Sequence, residues 1–272
     1  MLTEKELITT SMNARIIGTS DKETIILVHG YGGDQSVWDK VLPGLTARYQ
    51  VVLFDWCFSG AVKDPDLYDP VRYSCYDAFA DDLICVVDEL KLNGSSVFVG
   101  HSMSGMIGCI ASIKRPDLFH RLVLVTSSPR YLNIEDYQGG FEMSQIEQLF
   151  SSIESNFDEW TQNFPSTTID SSDPLSIKKF QNCLQRMKPD VALSVAKTVF
   201  LSDYRYILNQ VMIPCDIIHT RNDIVVPDSV PKYMKSKISG KCEVHILETE
   251  GHFPQLTAHI QFVEVLDRIL GI

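Results

Sequence analysis

Short apolar runs recur through the first half of the chain, and each is bounded by charged residues or glycines. They cover residues 24–28, 51–54, 96–99 and 122–125. Runs that are almost wholly apolar are typical of strands buried on both faces of a parallel sheet. Between the second and third runs, residues 76–90 carry apolar side chains at helical spacing. This alternation of strands and helices predicts a mostly parallel α/β sheet.

The pattern becomes helical between residues 129 and 200, where no strand is indicated. Ser144 and Glu147 fit the two ends of a capping box that opens a first helix. Asp173, which precedes a proline, fits the N-cap of a second helix, and Pro189 begins a third. We therefore predict a group of helices inserted into the α/β pattern.

Strand-like runs resume after the helical segment, at residues 215–218 and 244–247, and an amphipathic helix at 260–270 closes the chain. These patterns predict one α/β core with a helical lid. The core covers residues 13–128 and 201–272, the lid covers 129–200, and a polar leader covers 1–12. The lid is expected over the carboxyl ends of the strands, where open α/β sheets bind ligands.

The stretch between the third apolar run and the helix after it carries the clearest chemical signal. It reads Gly100-His101-Ser102-Met103-Ser104-Gly105. A strand that ends in a sharp turn and leaves one serine at the start of a helix is typical of a nucleophile elbow. Ser102 is therefore the predicted nucleophile, and the other interpretation is a serine that only caps the helix. Ser104 stands where glycine is usual and is small enough for the turn.

Three histidines lie late enough in the chain to serve as the base, because this motif requires the order serine, acid, histidine. They are His245, His252 and His259. His252 follows the last predicted strand in a loop, and a loop at the carboxyl end of a strand can reach Ser102. His245 lies within that strand and His259 begins the last helix, so we predict His252 as the base.

The acid is expected at the end of the preceding strand, and Asp223 follows that strand after a short turn. Its alternative interpretation is an ordinary turn aspartate. Asp216 lies inside the strand and Asp228 lies beyond the turn, so both are weaker candidates. The predicted catalytic set is Ser102, Asp223 and His252, in which the acid orients and stabilises the histidine that accepts the serine proton.

Two backbone N–H groups are predicted to form an oxyanion hole. The first belongs to Met103, the residue after the nucleophile. The second belongs to Tyr31, in the glycine-rich loop after the first apolar run, and the alternative for that loop is a simple tight turn. No Gly-Lys-Ser/Thr follows, so the loop is not a phosphate loop. His29 and His101 precede the predicted acid, and we interpret both as structural.

Composition narrows the class of protein. The chain has 272 residues, 44% of them hydrophobic, and a net charge of −11, which argues against nucleic-acid binding because that requires a basic surface. Its seven cysteines are scattered without metal-binding or disulfide spacing, so we predict neither a metal nor another cofactor. The N-terminus lacks a secretion signal, and no apolar run is long enough to span a bilayer. We therefore expect a cytoplasmic protein without membrane association.

Six longer motifs indicate one known family. They are Gly-His-Ser-Met-Ser-Gly-Met-Ile-Gly at 100–108, Ala-Ser-Ile-Lys-Arg-Pro-Asp-Leu-Phe at 111–119, Ser-Pro-Arg-Tyr-Leu-Asn at 128–133, Asp-Tyr-Gln-Gly-Gly-Phe-Glu at 136–142, Met-Lys-Pro-Asp-Val-Ala-Leu-Ser-Val at 187–195 and Glu-Gly-His-Phe-Pro-Gln-Leu at 250–256. With them the chain resembles the plant strigolactone and karrikin receptor-type α/β-hydrolases and, more distantly, the bacterial regulator RsbQ. The resemblance extends from about Asn13 to the last helix.

The resemblance implies an α/β-hydrolase fold with an inserted four-helix lid, and a triad that falls on the same three residues. It also implies an apolar pocket beneath the lid. Five aromatic positions match that pocket: Tyr131, Phe141, Trp160, Phe164 and Phe200. Packing within the lid is the alternative for each of them.

The resemblance further implies slow hydrolysis of small butenolide lactones. For the receptors it implies ligand-dependent binding of an F-box protein and a repressor through the lid. The chain departs from the family pattern in three places. Tyr31 replaces a usual phenylalanine, the loop at 54–61 differs, and residues 165–173 are more polar.

We therefore expect a serine hydrolase of small apolar esters or butenolide-type lactones. The leading biological interpretation is a strigolactone- or karrikin-like signal receptor, cytoplasmic and also nuclear. A metabolic carboxylesterase or lactonase without a signalling partner is the alternative. A non-enzymatic interaction protein is a third interpretation, and the complete catalytic set argues against it.

Overall fold

A computed structural model of the protein describes residues 7–64, 66–92 and 96–271. Within these ranges one sheet contains seven strands: β1 (Arg15–Ile17), β2 (Thr24–Val28), β3 (Gln50–Phe54), β4 (Ser96–His101), β5 (Phe119–Val125), β6 (Cys215–Asn222) and β7 (Cys242–Glu250). Their order across the sheet is β1-β3-β2-β4-β5-β6-β7, with β1 antiparallel to β3 and the other pairs parallel. Every residue of β2, β3 and β4 is buried, so the predicted α/β class is confirmed.

The α-helices of the described residues alternate with these strands. They are α1 (Ile8–Ser11), α2 (Leu42–Thr46), α3 (Tyr76–Glu89), α4 (Met103–Lys114), α5 (Met143–Ser155), α6 (Phe157–Thr168), α7 (Pro174–Gln185), α8 (Pro189–Phe200), α9 (Ser229–Lys237), α10 (Pro254–Thr257) and α11 (His259–Leu270). Short 3-10 helices occupy Gln35–Trp38 and Arg205–Gln210.

Four helices, α5 to α8, lie between β5 and β6, in the fully described range 129–200. Asp173 caps α7 as predicted, by accepting a hydrogen bond from the Ser176 N–H. The capping box of α5 lies two residues earlier than predicted. Glu142 is the N-cap and exchanges both bonds with Gln145, because a glutamate carboxylate accepts from the third N–H of a helix as a serine hydroxyl does.

The predicted leader over residues 1–12 is described only in part, since residues 1–6 lie outside the described residues. Ile8–Ser11 form α1, which packs on α3. The N–H groups of the first two residues of α1 donate to the Glu89 carboxylate, over 3.1 and 3.0 Å. An anion at this end satisfies N–H groups that have no partner within the helix, so this contact holds α1 against α3.

The strand order changes direction at β2, which lies between β3 and β4. Val28 at the end of β2 pairs with Gly100 near the end of β4. The loops that follow these strands therefore leave the sheet side by side, at the kind of switch point where open α/β sheets bind ligands. Tyr31 follows β2 and Ser102 follows β4, so the sheet brings two predicted site loops together.

Candidate active site

Ser102 lies in a sharp turn between β4 and α4, with φ 56° and ψ −124°. Its N–H donates to the Val125 carbonyl over 2.8 Å, which ties the turn to β5. The turn requires small neighbours, because a Cβ at Gly100 would lie 2.7 Å from the carbonyl group of Ser104. Ser102 is only 5% exposed. The local geometry is therefore that of a strained strand–turn–helix elbow with a buried serine at its tip.

Two hydrogen bonds link Ser102 to His252 and Asp223. Ser102 Oγ lies 2.9 Å from His252 Nε2, and His252 Nδ1 lies 2.7 Å from Asp223 Oδ2. The other carboxylate oxygen of Asp223 accepts from the Val225 N–H over 2.8 Å. With the Nδ1 proton donated to Asp223, Nε2 presents its lone pair, and the serine hydroxyl donates to it. The structure thus brings the three predicted catalytic side chains together.

The rival residues pair elsewhere in the sheet. His245 Nε2 lies 2.7 Å from Asp216 Oδ1, and both residues lie in the body of their strands rather than at the carboxyl ends. The side chain of Asp228 is 59% exposed, and His259 begins α11. Asp223 and His252 are therefore the acid and histidine that meet the nucleophile turn.

The backbone of His252 is held by the core. Its carbonyl accepts from His101 Nε2 over 2.8 Å and from Thr126 Oγ1 over 3.0 Å. Burial, together with the neighbouring His252, lowers the pKa of His101 well below its ordinary value, so that ring stays neutral and donates. Burial also lowers the pKa of His29, whose Nε2 accepts from the Trp56 N–H. Both histidines have the structural contacts that we expected.

The loop after β2 packs directly on the nucleophile turn. A Cβ at Gly30 would lie 2.8 Å from the Ser102 Cβ, so the main chain at Tyr31 passes close to the serine. Met103 is the first residue of α4, and the first N–H groups of a helix have no carbonyl partner within it. Tyr31 thus directly follows a residue packed on Ser102, and Met103 directly follows Ser102 in the chain; an oxyanion hole formed by their N–H groups stays a prediction.

Two buried tyrosine hydroxyls lie at the site. Tyr31 donates to the Ala192 carbonyl of α8 over 3.0 Å, and the Tyr131 hydroxyl lies 3.3 Å from Ser102 Oγ. Burial raises the pKa of both phenols, so each keeps its proton. Because Ser102 donates to His252, Tyr131 is the donor in its contact with the serine.

A narrow cavity lies over Ser102. Only about 20 Å³ over Ser102 admits the centre of a water molecule, which is space for about one water. Ligand pockets usually measure about 300–1,000 Å³. A ligand can therefore enter only if the side chains around this cavity move.

Three of the five predicted pocket residues line the cavity: Tyr131, Phe164 and Phe200. Phe141 and Trp160 lie one layer behind it. Phe141 packs on Phe200 with ring centroids 5.7 Å apart, and Trp160 stacks on Phe164 at 5.2 Å. These two aromatic side chains therefore support the wall of the cavity and do not form its surface.

Sequence reasoning missed Phe180 and Phe253, which also line the cavity and pack together with ring centroids 4.4 Å apart. Phe180 follows the helical spacing of α7, and Phe253 directly follows His252; these are the signals that could have identified them. Thr168, at the end of α6, completes this side of the cavity. Inserted helices α6, α7 and α8 thus all contribute to the wall.

In the part of the chain that the structure describes, no group of three or more histidine, cysteine, aspartate or glutamate side chains could hold a metal ion. No helix among the same residues is long and apolar enough to cross a membrane. All seven cysteines are free thiols, and Cys57, Cys109, Cys183, Cys215 and Cys242 are buried.

Comparison with known proteins decides the family. Residues 25–265 match the model of the alpha/beta hydrolase family. The chain belongs to the α/β hydrolase family. A strigolactone esterase of Arabidopsis thaliana is 44% identical to this α/β hydrolase over 260 residues, which cover 96% of each chain. A karrikin insensitive 2 receptor of Petunia hybrida is 43% identical over 257 residues, or 94% of each chain.

A solved structure extends the comparison to the fold. A hydrolase from Oleispira antarctica superimposes on this α/β hydrolase with a TM-score of 0.88 and 28% identity, over 97% of this chain and 98% of that one. The resemblance to the strigolactone and karrikin receptor-type hydrolases is confirmed by the two plant relatives.

Proposed function

We propose that this α/β hydrolase is a serine hydrolase of small apolar esters and butenolide-type lactones and acts as a strigolactone- or karrikin-like signal receptor. One observation carries the proposal: hydrogen bonds of 2.9 and 2.7 Å join Ser102, His252 and Asp223 beside an apolar cavity. Serine, histidine and aspartate side chains that are hydrogen-bonded in this order are typical of enzymes that transfer acyl groups through a serine ester.

The first chemical step forms a bond between Ser102 Oγ and the carbonyl carbon of the ligand. His252 Nε2 takes the serine proton during the attack, and Asp223 stabilises the imidazolium that results. The carbonyl oxygen becomes negative and accepts hydrogen bonds from the N–H groups of Tyr31 and Met103. The N-terminal end of α4 favours the same negative charge.

The second step breaks the bond between the carbonyl carbon and the alcohol oxygen, and His252 gives its proton to that oxygen. An ester loses its alcohol in this step, whereas a lactone opens and keeps the new hydroxyl on its acyl chain. Water, deprotonated by His252, then hydrolyses the ester at Ser102. Slow release of the acyl group is expected from the resemblance to the receptor-type hydrolases.

The receptor role rests on the plant relatives, one named a strigolactone esterase and the other a karrikin insensitive 2 receptor. In this proposal, residues 129–200 are a lid inserted between core segments 13–128 and 201–272. Phe164 and Phe200 extend from that segment to the cavity over Ser102, so a bound lactone would contact helices that a partner can touch.

The partners in this proposal are an F-box protein and a repressor, bound through the lid in the cytoplasm and the nucleus. A butenolide should strengthen the capture of the F-box protein by this hydrolase in a purified mixture. Capture that is equal with and without the lactone would contradict the receptor role.

Hydrolysis of p-nitrophenyl acetate and a synthetic butenolide tests the catalytic proposal. Ser102→Ala should abolish the release of product from both compounds, because it removes the nucleophile. Ser112→Ala is the matched control, since Ser112 is buried in the same helix and donates to the Cys109 carbonyl. Fast, repeated turnover of the ester without cleavage of the butenolide would favour a metabolic esterase. Activity that survives in Ser102→Ala would contradict the mechanism.

A further inference from the structure

The loop that carries His252 is paired with the segment that links α6 to α7. The His252 N–H donates to the Thr168 carbonyl over 2.7 Å, and Gly251 forms an antiparallel bridge with Ile169. Gly251 has φ +84°, and a Cβ there would lie 2.8 Å from the Thr168 oxygen and 2.9 Å from the Asp170 nitrogen. The two main chains therefore meet without room for a side chain between them.

Lys40 joins the same two segments from the other side. Its Nζ donates to Asp173 Oδ2 over 2.8 Å, to Ser176 Oγ over 2.8 Å and to the Leu256 carbonyl over 2.9 Å. A lysine ammonium has three protons, so every one is used. Asp173 caps α7. Leu256 lies in α10, the short helix that begins two residues after His252.

The surrounding hydrogen bonds keep the Asp173 carboxylate of this contact charged. Burial acts to raise the pKa of Asp173, but the hydrogen bonds from Lys40 and Ser176 outweigh it and lower the pKa to about 2. Ser176 and Leu256 are fully buried, and the Lys40 side chain is 32% exposed. A charged lysine with three short contacts, two of them to buried residues, has little freedom to change its geometry.

We propose that Lys40 is a positioning residue for His252, an inference that rests on the proposed catalytic role of that histidine. Lys40 fixes the start of α7 against α10, and α10 continues directly from the loop of the base. The α6–α7 segment is thereby held where the Thr168 carbonyl receives the His252 N–H. Without Lys40, the pairing of the two main chains loosens, and the imidazole moves out of line with Ser102.

A comparison of Lys40→Met with Lys179→Met tests the proposal. Lys179 also joins the core to α7, through an ion pair of 2.7 Å with Asp39, and its side chain is 29% exposed against 32% for Lys40. Lys40→Met should lower kcat for p-nitrophenyl acetate about tenfold and change KM less than about twofold, because a small displacement of a catalytic group acts on the chemical step. Lys179→Met should leave kcat unchanged.

A second measurement needs no turnover. The proton shared by His252 Nδ1 and Asp223 should give a far-downfield proton NMR signal that is absent from Asp223→Asn. We expect Lys40→Met to shift or broaden this signal and Lys179→Met to leave it in place. Asp173→Asn provides a variant that keeps an N-cap residue and removes the charge opposite Lys40; it should change kcat and the signal in the same direction as Lys40→Met, to a smaller extent.

The proposal would be overturned if Lys40→Met kept the wild-type kcat and NMR signal while its thermal stability fell as much as that of Lys179→Met. Ser102-dependent hydrolysis would stand in that case. Loss of the signal in Lys40→Met but not in Lys179→Met supports the proposal. A wild-type protein without Ser102-dependent turnover would instead refute the proposed function, and the NMR signal would still decide the role of Lys40.

Discussion

Trp56 and Ser104 hydrogen-bond each other behind the nucleophile turn, although they lie 48 residues apart in the chain. Trp56 Nε1 donates to Ser104 Oγ over 2.9 Å and to the His29 carbonyl over 3.0 Å. Ser104 Oγ in turn donates to the same carbonyl over 2.5 Å. Trp56 lies in the loop that differs from the family pattern, and Ser104 stands where a nucleophile elbow usually has glycine. Each supplies a polar partner that the other needs in a buried site. The two departures therefore belong to one local arrangement.

A double-mutant cycle tests whether Trp56 and Ser104 act as a unit. Ser104→Ala and Trp56→Phe should each lower the free energy of unfolding, and their combination should lower it by about 1 kcal/mol less than the sum, because the shared hydrogen bond is lost only once. Urea unfolding monitored by circular dichroism gives the three values. A cycle of Ser104→Ala with the exposed Tyr206→Phe is the control and should be additive; additivity in the first cycle would contradict the coupling.

At the scale of elements, the start of α7 combines a helix cap with an ion pair. Asp173 accepts from the Ser176 N–H over 2.9 Å and from Lys40 over 2.8 Å. Aspartate and asparagine are about equally good N-cap residues, so Asp173→Asn removes the charge and keeps the cap. The contribution of the ion pair can therefore be separated from that of the helix terminus.

The stability difference between wild type and Asp173→Asn should depend on pH. The folded-state pKa of Asp173 is about 2, below the ordinary 3.8, so its charged form stabilises the fold above pH 3.8 and the benefit disappears as the pH falls through about 2. Urea unfolding at pH 6 should show the larger difference, and at pH 3 a smaller one. A difference that grows toward pH 3 would contradict the assigned pKa.

The nucleophile and its two partners could be predicted from the sequence because of their positions at the ends of predicted strands. Ser102, Asp223 and His252 each follow a strand, and parallel strands bring their carboxyl ends to one edge. Contacts made by the inserted helices could not be predicted in this way. Tyr31 meets Ala192 of α8 across 161 residues, and Lys40 meets Asp173, the N-cap of α7, across 133. Such contacts depend on how the helices pack on the core, which periodicity does not specify.

The residues that line the cavity were equally difficult to predict from the periodicity of the sequence. The family resemblance implied Phe164 and Trp160 as pocket residues, and Phe180 follows the helical spacing of α7. Neither signal could tell that Phe180 reaches Phe253 at the site while Trp160 stops one layer behind. The aromatic positions implied by the family resemblance therefore identified the region of the pocket more accurately than its surface.

At the scale of the whole molecule, the main feature of the site is its small volume. Only about 20 Å³ over Ser102 admits the centre of a water molecule, and helices from the inserted segment close the cavity against the core. Tyr31 adds a buried hydrogen bond between the two parts. Binding of a lactone must therefore displace aromatic side chains, and this displacement offers a physical link between occupancy and the outer surface of the helices.

The small volume of the cavity predicts a strong preference for short acyl groups. The kcat/KM for p-nitrophenyl acetate should exceed that for the octanoate at least about tenfold, because each added methylene requires space that the packed wall does not supply. Phe253→Leu should reduce this ratio by enlarging the cavity. Phe119→Leu, a buried change at the amino end of β5, is the control and should keep the wild-type ratio. Equal rates for both esters would show that the wall does not limit access.

The most direct test of the central claim is intact-protein and peptide mass spectrometry after incubation with a synthetic butenolide, with wild type and Ser102→Ala side by side. We predict slow cleavage by the wild type, with the acyl group retained as an ester on Ser102, and neither cleavage nor adduct in Ser102→Ala. Rapid cleavage without a lasting adduct would keep the serine mechanism and contradict the receptor role. Cleavage or adduct formation that is the same in both proteins would contradict the claim that Ser102 is the nucleophile.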